Sequence, residues 1–156
     1  MTKVERYSSA KMELLKRTER ETNVIANLAN ASAILNEYMR DINWVGFYLF
    51  RHGELVLGPF QGRAACVRIS LGKGVCGTAA AEDRVQIVPD VNQFPGHIAC
   101  DNRSRSEIVL PIHYRGTMVA VLDIDSPVLK RFDEEDSQWL GEIVRVLEIS
   151  CNWNDR

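Results

Sequence analysis

Four cysteines and one group of acids carry the chemistry this sequence could perform. The cysteines are Cys66, Cys76, Cys100 and Cys151, with no C-x-x-C pair among them, and the three histidines are scattered. No metal site is therefore expected. Cys100 stands in the middle of Asp90–Glu107, DVNQFPGHIACDNRSRSE, flanked by His97, Arg103 and Arg105. The stretch contains Pro95-Gly96 and has no apolar period, so it reads as a loop. Connections of about 15 residues are usually functional or disordered, and Phe94, Ile98 and Ala99 argue against disorder. A thiol reacts as thiolate, and nearby cations lower its pKa from about 8.5. Asp101 opposes that shift. From the loop alone, Cys100 is either a reactive thiol or a surface cysteine.

The acids come from two alternating runs. SEIVLPI sets Glu107, Val109 and Pro111 against Ile108, Leu110 and Ile112; TMVAVLDIDS sets Val119, Val121, Asp123 and Asp125 against Met118, Ala120, Leu122 and Ile124. Whether the acids meet depends on the turn between the runs. A two-residue Arg115-Gly116 turn puts Glu107 opposite Ile124, on the wrong face. A three-residue Tyr114-Arg115-Gly116 turn pairs His113 with Thr117 and Glu107 with Asp123, and Gly116 suits its left-handed position. The three-residue turn is the expectation. Glu107, Asp123 and Asp125 then share a face, where opposed like charges require a cation or a shared proton. The alternative is three solvated carboxylates.

Other elements must position these groups. NWVGFYLF alternates Trp44, Gly46, Tyr48 and Phe50 against Val45, Phe47 and Leu49. The second set is core. Trp44 and Tyr48, with a glycine between them, either leave room for a ligand or pack ordinarily. A strand is expected at Leu55–Leu57, ending at Gly58-Pro59, then a short strand with Cys66 and Arg68 on one face and Val67 and Ile69 on the other. LGKGVCGTAAAE is formally G-x-G-x-x-G but lacks the βαβ setting of a dinucleotide site. It reads instead as a glycine turn feeding a helix, Val75–Ala81, whose first N–H groups can hold a small anion such as a carboxylate. Cys76 lies in that first turn. Val85–Val88 reads as a further short strand.

The ends read as helices. Residues 4–40 are helical with a break near Thr22-Asn23, beyond which Val24, Leu28, Ala31, Leu35 and Tyr38 share one face. Residues 132–152 form a helix capped by Asp133, with Leu140, Ile143, Val144, Leu147 and Cys151 as its buried stripe. At 156 residues the chain fits one domain, 1–156, large enough to bury about 68–70% of its unfolded surface. A net charge of −2 argues against a nucleic-acid or membrane footprint. No signal peptide or apolar run of membrane-spanning length is present, so a cytoplasmic setting is expected, where cysteines are more often catalytic, redox-active or metal-binding than structural bridges.

This order of elements resembles a GAF domain: an α+β fold whose central antiparallel sheet carries the terminal helices on one face and a ligand pocket under a long loop on the other. GPFQGRAAC, GKGVCGTAA, DVNQFPGHIACDNRSRSEIVLPI and VLDIDS are similar to motifs of the free methionine-(R)-sulfoxide reductases, GAF-fold enzymes that reduce the free amino acid. The resemblance implies Cys100 as nucleophile, Cys66 as resolving cysteine and Cys76 as a third thiol able to exchange or to line the pocket. It implies Trp44 and Tyr48 as walls around the methyl-sulfinyl end, and Glu107, Asp123 and Asp125 as partners of the substrate's polar groups. It further implies a Cys100 sulfenic acid, an intramolecular disulfide, regeneration by thioredoxin, no metal or organic cofactor, and a possible homodimer. The competing readings are a non-catalytic GAF sensor of a small ligand or of redox state, and a regulatory domain recruiting partners through its terminal helices.

Overall fold

A computed structural model describes residues 1–97 and 100–156; Ile98 and Ala99, read above as ordering the loop, lie outside them. Two helices come first, α1 (Lys3–Thr18) and α2 (Val24–Tyr38), followed by β1 (Trp44–Arg51), β2 (Glu54–Gly62) and β3 (Arg68–Ser70). Helix α3 (Gly74–Glu82), β4 (Gln86–Val88), β5 (Ser106–Tyr114), β6 (Thr117–Ser126) and α4 (Glu134–Ser150) complete the chain. Among the described residues the strands form one six-stranded sheet in the order β3-β2-β1-β6-β5-β4, antiparallel throughout.

Helices α1, α2 and α4 start at a side-chain cap, and α3 follows Lys73 without one. Thr2 accepts from the Glu5 N–H and Asn23 from the Ala26 N–H, while Asp133 and Asp136 form a reciprocal capping box on α4. The helix break therefore spans residues 19–23, as the sequence implies. No helix among the described residues is long and apolar enough to cross a membrane.

Alternation divides the sheet into two cores. Val45, Phe47 and Leu49 of β1 and Ile108, Leu110 and Ile112 of β5 pack under α1, α2 and α4 with Leu28, Leu35, Leu140 and Leu147. Cys151 belongs to this side, where the Asn27 Nδ2 amide donates to its sulfur at 3.6 Å. On the opposite face Trp44, Tyr48, Val109 and Val121 pack against α3 through Val75, Cys76 and Ala79.

Three sequence expectations are corrected. First, β2 does not stop at Gly58-Pro59 but runs on to Gly62. Tyr48 pairs with Leu57 and Gly46 with Phe60, so Gly58 and Pro59 together oppose Phe47. This bulge accommodates a proline that has no N–H for the ladder. Second, the short strand does not reach back to Cys66 and Val67: β3 is only Arg68–Ser70, with Ile69 buried between two exposed residues. Third, the β5–β6 turn has two residues. Tyr114 pairs with Thr117 around Arg115 (φ 53°) and Gly116 (φ 77°), the pair of positive φ angles that a mirror-image hairpin turn uses.

That two-residue turn would have turned the acids away from one another. It does not, because Ile112 pairs with Ala120 while His113 pairs with Met118, leaving Val119 as an extra residue in β6. Beyond this bulge the register places Glu107 opposite Asp125 and Val109 opposite Asp123. Val119 accordingly joins the helix-side core beside Ala120, instead of sharing the face of Val121.

Candidate active site

The site lies between the sheet and the long loop. Glu107 from β5 and Asp123 and Asp125 from β6 line one wall of a cavity. Trp44 and Tyr48 of β1 line the next, and the first turn of α3 (Gly74, Val75, Cys76) with Lys73 forms a third. The loop brings His97, Cys100, Asp101 and Ser104 across the top. Every residue singled out as a site candidate thus borders this cavity or, for Cys66, is bonded to a residue that does.

Cys66 lies in the 63–67 segment joining β2 to β3 and forms a disulfide with Cys100, with Cα atoms 5.7 Å apart, inside the usual range. Tyr48 and Trp44 hold that segment by their polar tips. The Tyr48 hydroxyl donates to the Cys66 carbonyl at 2.9 Å, and the Trp44 indole N–H donates to the Arg63 carbonyl at 3.0 Å. Trp44 stacks on Phe60 at 5.2 Å and on Tyr48 at 6.0 Å between centroids. Gly46 makes this close packing possible, since a Cβ there would collide with Phe60 and lie 2.9 Å from the Pro59 carbonyl. Gly77 plays the same part in α3, where a Cβ would strike the Ser70 carbonyl.

The carboxyls are driven toward their protonated forms. Glu107 is 7% exposed and Asp123 6%. Burial raises the Glu107 pKa well above the ordinary range, and the charges of Asp123 and Asp125 raise it further. Asp125 is raised well above its ordinary value by burial and then by Asp123. Burial raises Asp123 as well, partly offset by contacts with Glu107, Cys76 and Asp125. Such a cluster holds a proton at pH values where isolated carboxyls have lost theirs. Among the described residues, two oxygens, Oδ1 of Asp123 and Oδ1 of Asp125, are buried without a hydrogen-bond partner.

The cationic surroundings expected for Cys100 are largely spent elsewhere. Asp101 accepts from the Arg103 guanidinium at 2.8 Å, from the Arg103 backbone N–H at 2.9 Å and from the Asn43 amide at 3.2 Å. These bonds hold its carboxyl well below the usual range, the Arg103 side chain being the largest cause. His97 has its pKa lowered by burial, which favours neutral imidazole. Arg105 serves through its backbone, donating to the Ser126 carbonyl and accepting from the Val91 N–H. Burial, then the charges of Asp123 and Glu107, push the Cys76 thiol well up, so it is a protonated thiol here. What remains positive at the cavity is Lys73 and the α3 N-terminus. The Asn43–Asp101–Arg103 clamp was missed in the sequence, although D-x-R next to a candidate thiol is its signal.

With the disulfide closed the cavity is about 40 Å³. That is room for about two or three waters, and too little for an amino acid.

A fold with this pocket under a bridged loop defines a class. The family profile of the GAF domain matches residues 26–150. The free methionine-R-sulfoxide reductase of Escherichia coli is 52% identical over 148 residues, covering 95% of this chain and 90% of that one. The fRMsr of Staphylococcus aureus, solved in complex with substrate, is 52% identical with a TM-score of 0.88, over 91% of this chain and 93% of that one. The free methionine-R-sulfoxide reductase of Neisseria meningitidis, in complex with its substrate, is 46% identical with a TM-score of 0.88, over 91% and 86% of the two chains. The chain belongs to the GAF domain family, and within it to the free methionine-R-sulfoxide reductases.

Proposed function

We propose that this protein reduces free L-methionine-(R)-sulfoxide to methionine with its own thiols. The observation that carries this reading is the Cys66–Cys100 disulfide closing over three carboxyls in one cavity, Glu107 and Asp123 buried and Asp125 half-buried. Cys100 thiolate attacks the sulfoxide sulfur while a protonated carboxyl of the Glu107–Asp123–Asp125 cluster delivers its proton to the oxygen. The oxygen passes as hydroxyl from the methionine sulfur to the Cys100 sulfur as the bond between the two sulfurs breaks, so methionine leaves reduced and Cys100 is left as the sulfenic acid. Cys66 condenses with the sulfenic acid, expelling water and forming the disulfide. Cys76 is the third thiol, able to exchange or to line the pocket. An external dithiol, thioredoxin in a cytoplasmic setting, restores both thiols by exchange. The cycle uses no metal or organic cofactor.

Trp44 and Tyr48 flank the methyl-sulfinyl end, and the carboxyl cluster takes the substrate's ammonium group. The α3 N-terminus with Lys73 suits the carboxylate. The terminal helices are the surface through which two copies pair, and Met12, Leu15 and Ile149 expose apolar side chains there. The decisive assay supplies purified protein with free methionine-R-sulfoxide and dithiothreitol and measures methionine released. Turnover specific to the R epimer is expected. No release from reduced, folded protein leaves a ligand or redox sensor in its place.

A further inference from the structure

The cavity also gathers a donor set of a different kind. The sulfur of Cys76 on α3, an oxygen of Glu107 on β5 and an oxygen of Asp123 on β6 lie within 4.8 Å of one another, and all three residues are buried. Donors on one tetrahedral ion at 2.0–2.3 Å stand roughly 3.3–3.8 Å apart, so these three need only a small inward shift to share a centre. An independent observation points the same way. Asp123, 6% exposed and lining the cavity, carries a buried Oδ1 atom with no hydrogen-bond partner among the described residues. A buried acceptor left unpartnered is unfavourable unless something satisfies it. The space of about 40 Å³ beside the three donors accommodates an ion and the water that would fill its fourth position.

We propose that the protein, with the Cys66–Cys100 disulfide closed, binds a thiophilic divalent cation of the Zn²⁺ class through Cys76, Glu107 and Asp123. The donor chemistry selects the ion. One thiolate and two carboxylates suit Zn²⁺ or Cd²⁺, whereas Mg²⁺ and Ca²⁺ prefer oxygen donors alone and gain little from the Cys76 sulfur. Binding displaces the Cys76 thiol proton and the proton held by the carboxyls, with no change of oxidation state. Three anionic donors around a dication also relieve the repulsion that the apo cluster relieves only by keeping a proton. If the reductase reading holds, the same ion is an inhibitor, because it occupies the acids assigned to substrate.

Cadmium titration of the disulfide-closed protein tests this without turnover. Cys66 and Cys100 are blocked there, leaving Cys76 and Cys151 as free thiols. A sulfur-to-cadmium charge-transfer band saturating at one equivalent is expected. Zn²⁺ should bleach it, and Mg²⁺ should not. Cys76→Ser should abolish the band, while Cys151→Ala, altered in the helix-side core, should keep it. Asp123→Asn should weaken Cd²⁺ binding by about tenfold or more with the fold retained by circular dichroism. The proposal is overturned if wild type shows no saturable band, if Cys76→Ser keeps the band, or if Asp123→Asn binds as tightly as wild type. Failure of this titration leaves the reductase assay untouched, and the reverse holds as well.

Discussion

Glu107 stands directly opposite Asp125 across the β5–β6 ladder, with both carboxyls inside the cavity. Like charges so opposed destabilise a sheet, and burial increases the cost. Glu107→Gln should therefore separate stability from activity. We expect kcat/KM to fall by about 100-fold or more, the size of a lost general acid, while the melting temperature stays level or rises. Full activity in Glu107→Gln, Asp123→Asn and Asp125→Asn alike would remove the cluster from the mechanism.

The same pair sets a pH dependence. The Glu107 pKa is raised above its ordinary 4.5, so the folded state keeps a proton that the unfolded chain has already released. The native state then binds more protons across that window, and stability falls as pH rises from about 4.5 through the folded value. The gain in melting temperature of Glu107→Gln over wild type should be absent at acid pH and should grow toward neutral pH. Thermal melts at a series of pH values check this; a gain independent of pH would refute it.

Cys100→Ser should abolish turnover even with dithiothreitol, because Cys76, the other thiol lining the cavity, is held in its protonated form by burial and the neighbouring acids. Cys66→Ser should differ in kind, releasing methionine once and then failing or slowing in thioredoxin-driven cycling. Single-turnover and steady-state rates distinguish the two. Normal cycling by Cys66→Ser alongside failure of Cys76→Ser would reassign the resolving thiol.

The Asn43–Asp101–Arg103 clamp fixes the loop next to Cys100. Asp101→Asn and Asn43→Ala should leave the sheet intact and lower kcat/KM by about tenfold or more, since small misplacements of a reacting group are costly. Wild-type kinetics in both variants would show that the clamp does not position Cys100.

Gly46→Ala forces a Cβ onto Phe60 and the Pro59 carbonyl. A stability loss of about 1–3 kcal/mol is expected, and displacement of the Trp44–Phe60 stack should change tryptophan fluorescence. An unchanged denaturation midpoint would mean that the β2 bulge relaxes freely.

Much of this molecule was legible in the sequence because local physics decided it. The helix break at Thr22-Asn23, the Asp133 cap, the Cys151 core position and the two faces of β1 all follow from capping chemistry or a period of two. Motif resemblance added the cysteine pairing, which spacing alone left open. Neighbours in space decided the rest. The Asn43–Asp101 bond joins residues 58 apart in sequence, and although D-x-R marks the Asp101–Arg103 half of the clamp, nothing local points to Asn43. The hydroxyl of Tyr48 holding the Cys66 carbonyl is another such contact.

The acid cluster shows where the boundary falls. Alternation in SEIVLPI and LDIDS places each acid on a face of its own strand, and that much is a property of the chain. Which face meets which depends on the register, where a slip of one residue inverts every side chain. Turn chemistry gave the wrong answer here, because the hairpin takes the tight Arg115-Gly116 turn and then absorbs one extra residue at Val119. Val119 packs into the helix-side core beside Ala120, and that burial, available only once α1, α2 and α4 cover the sheet, is what rotates Asp123 and Asp125 back toward Glu107.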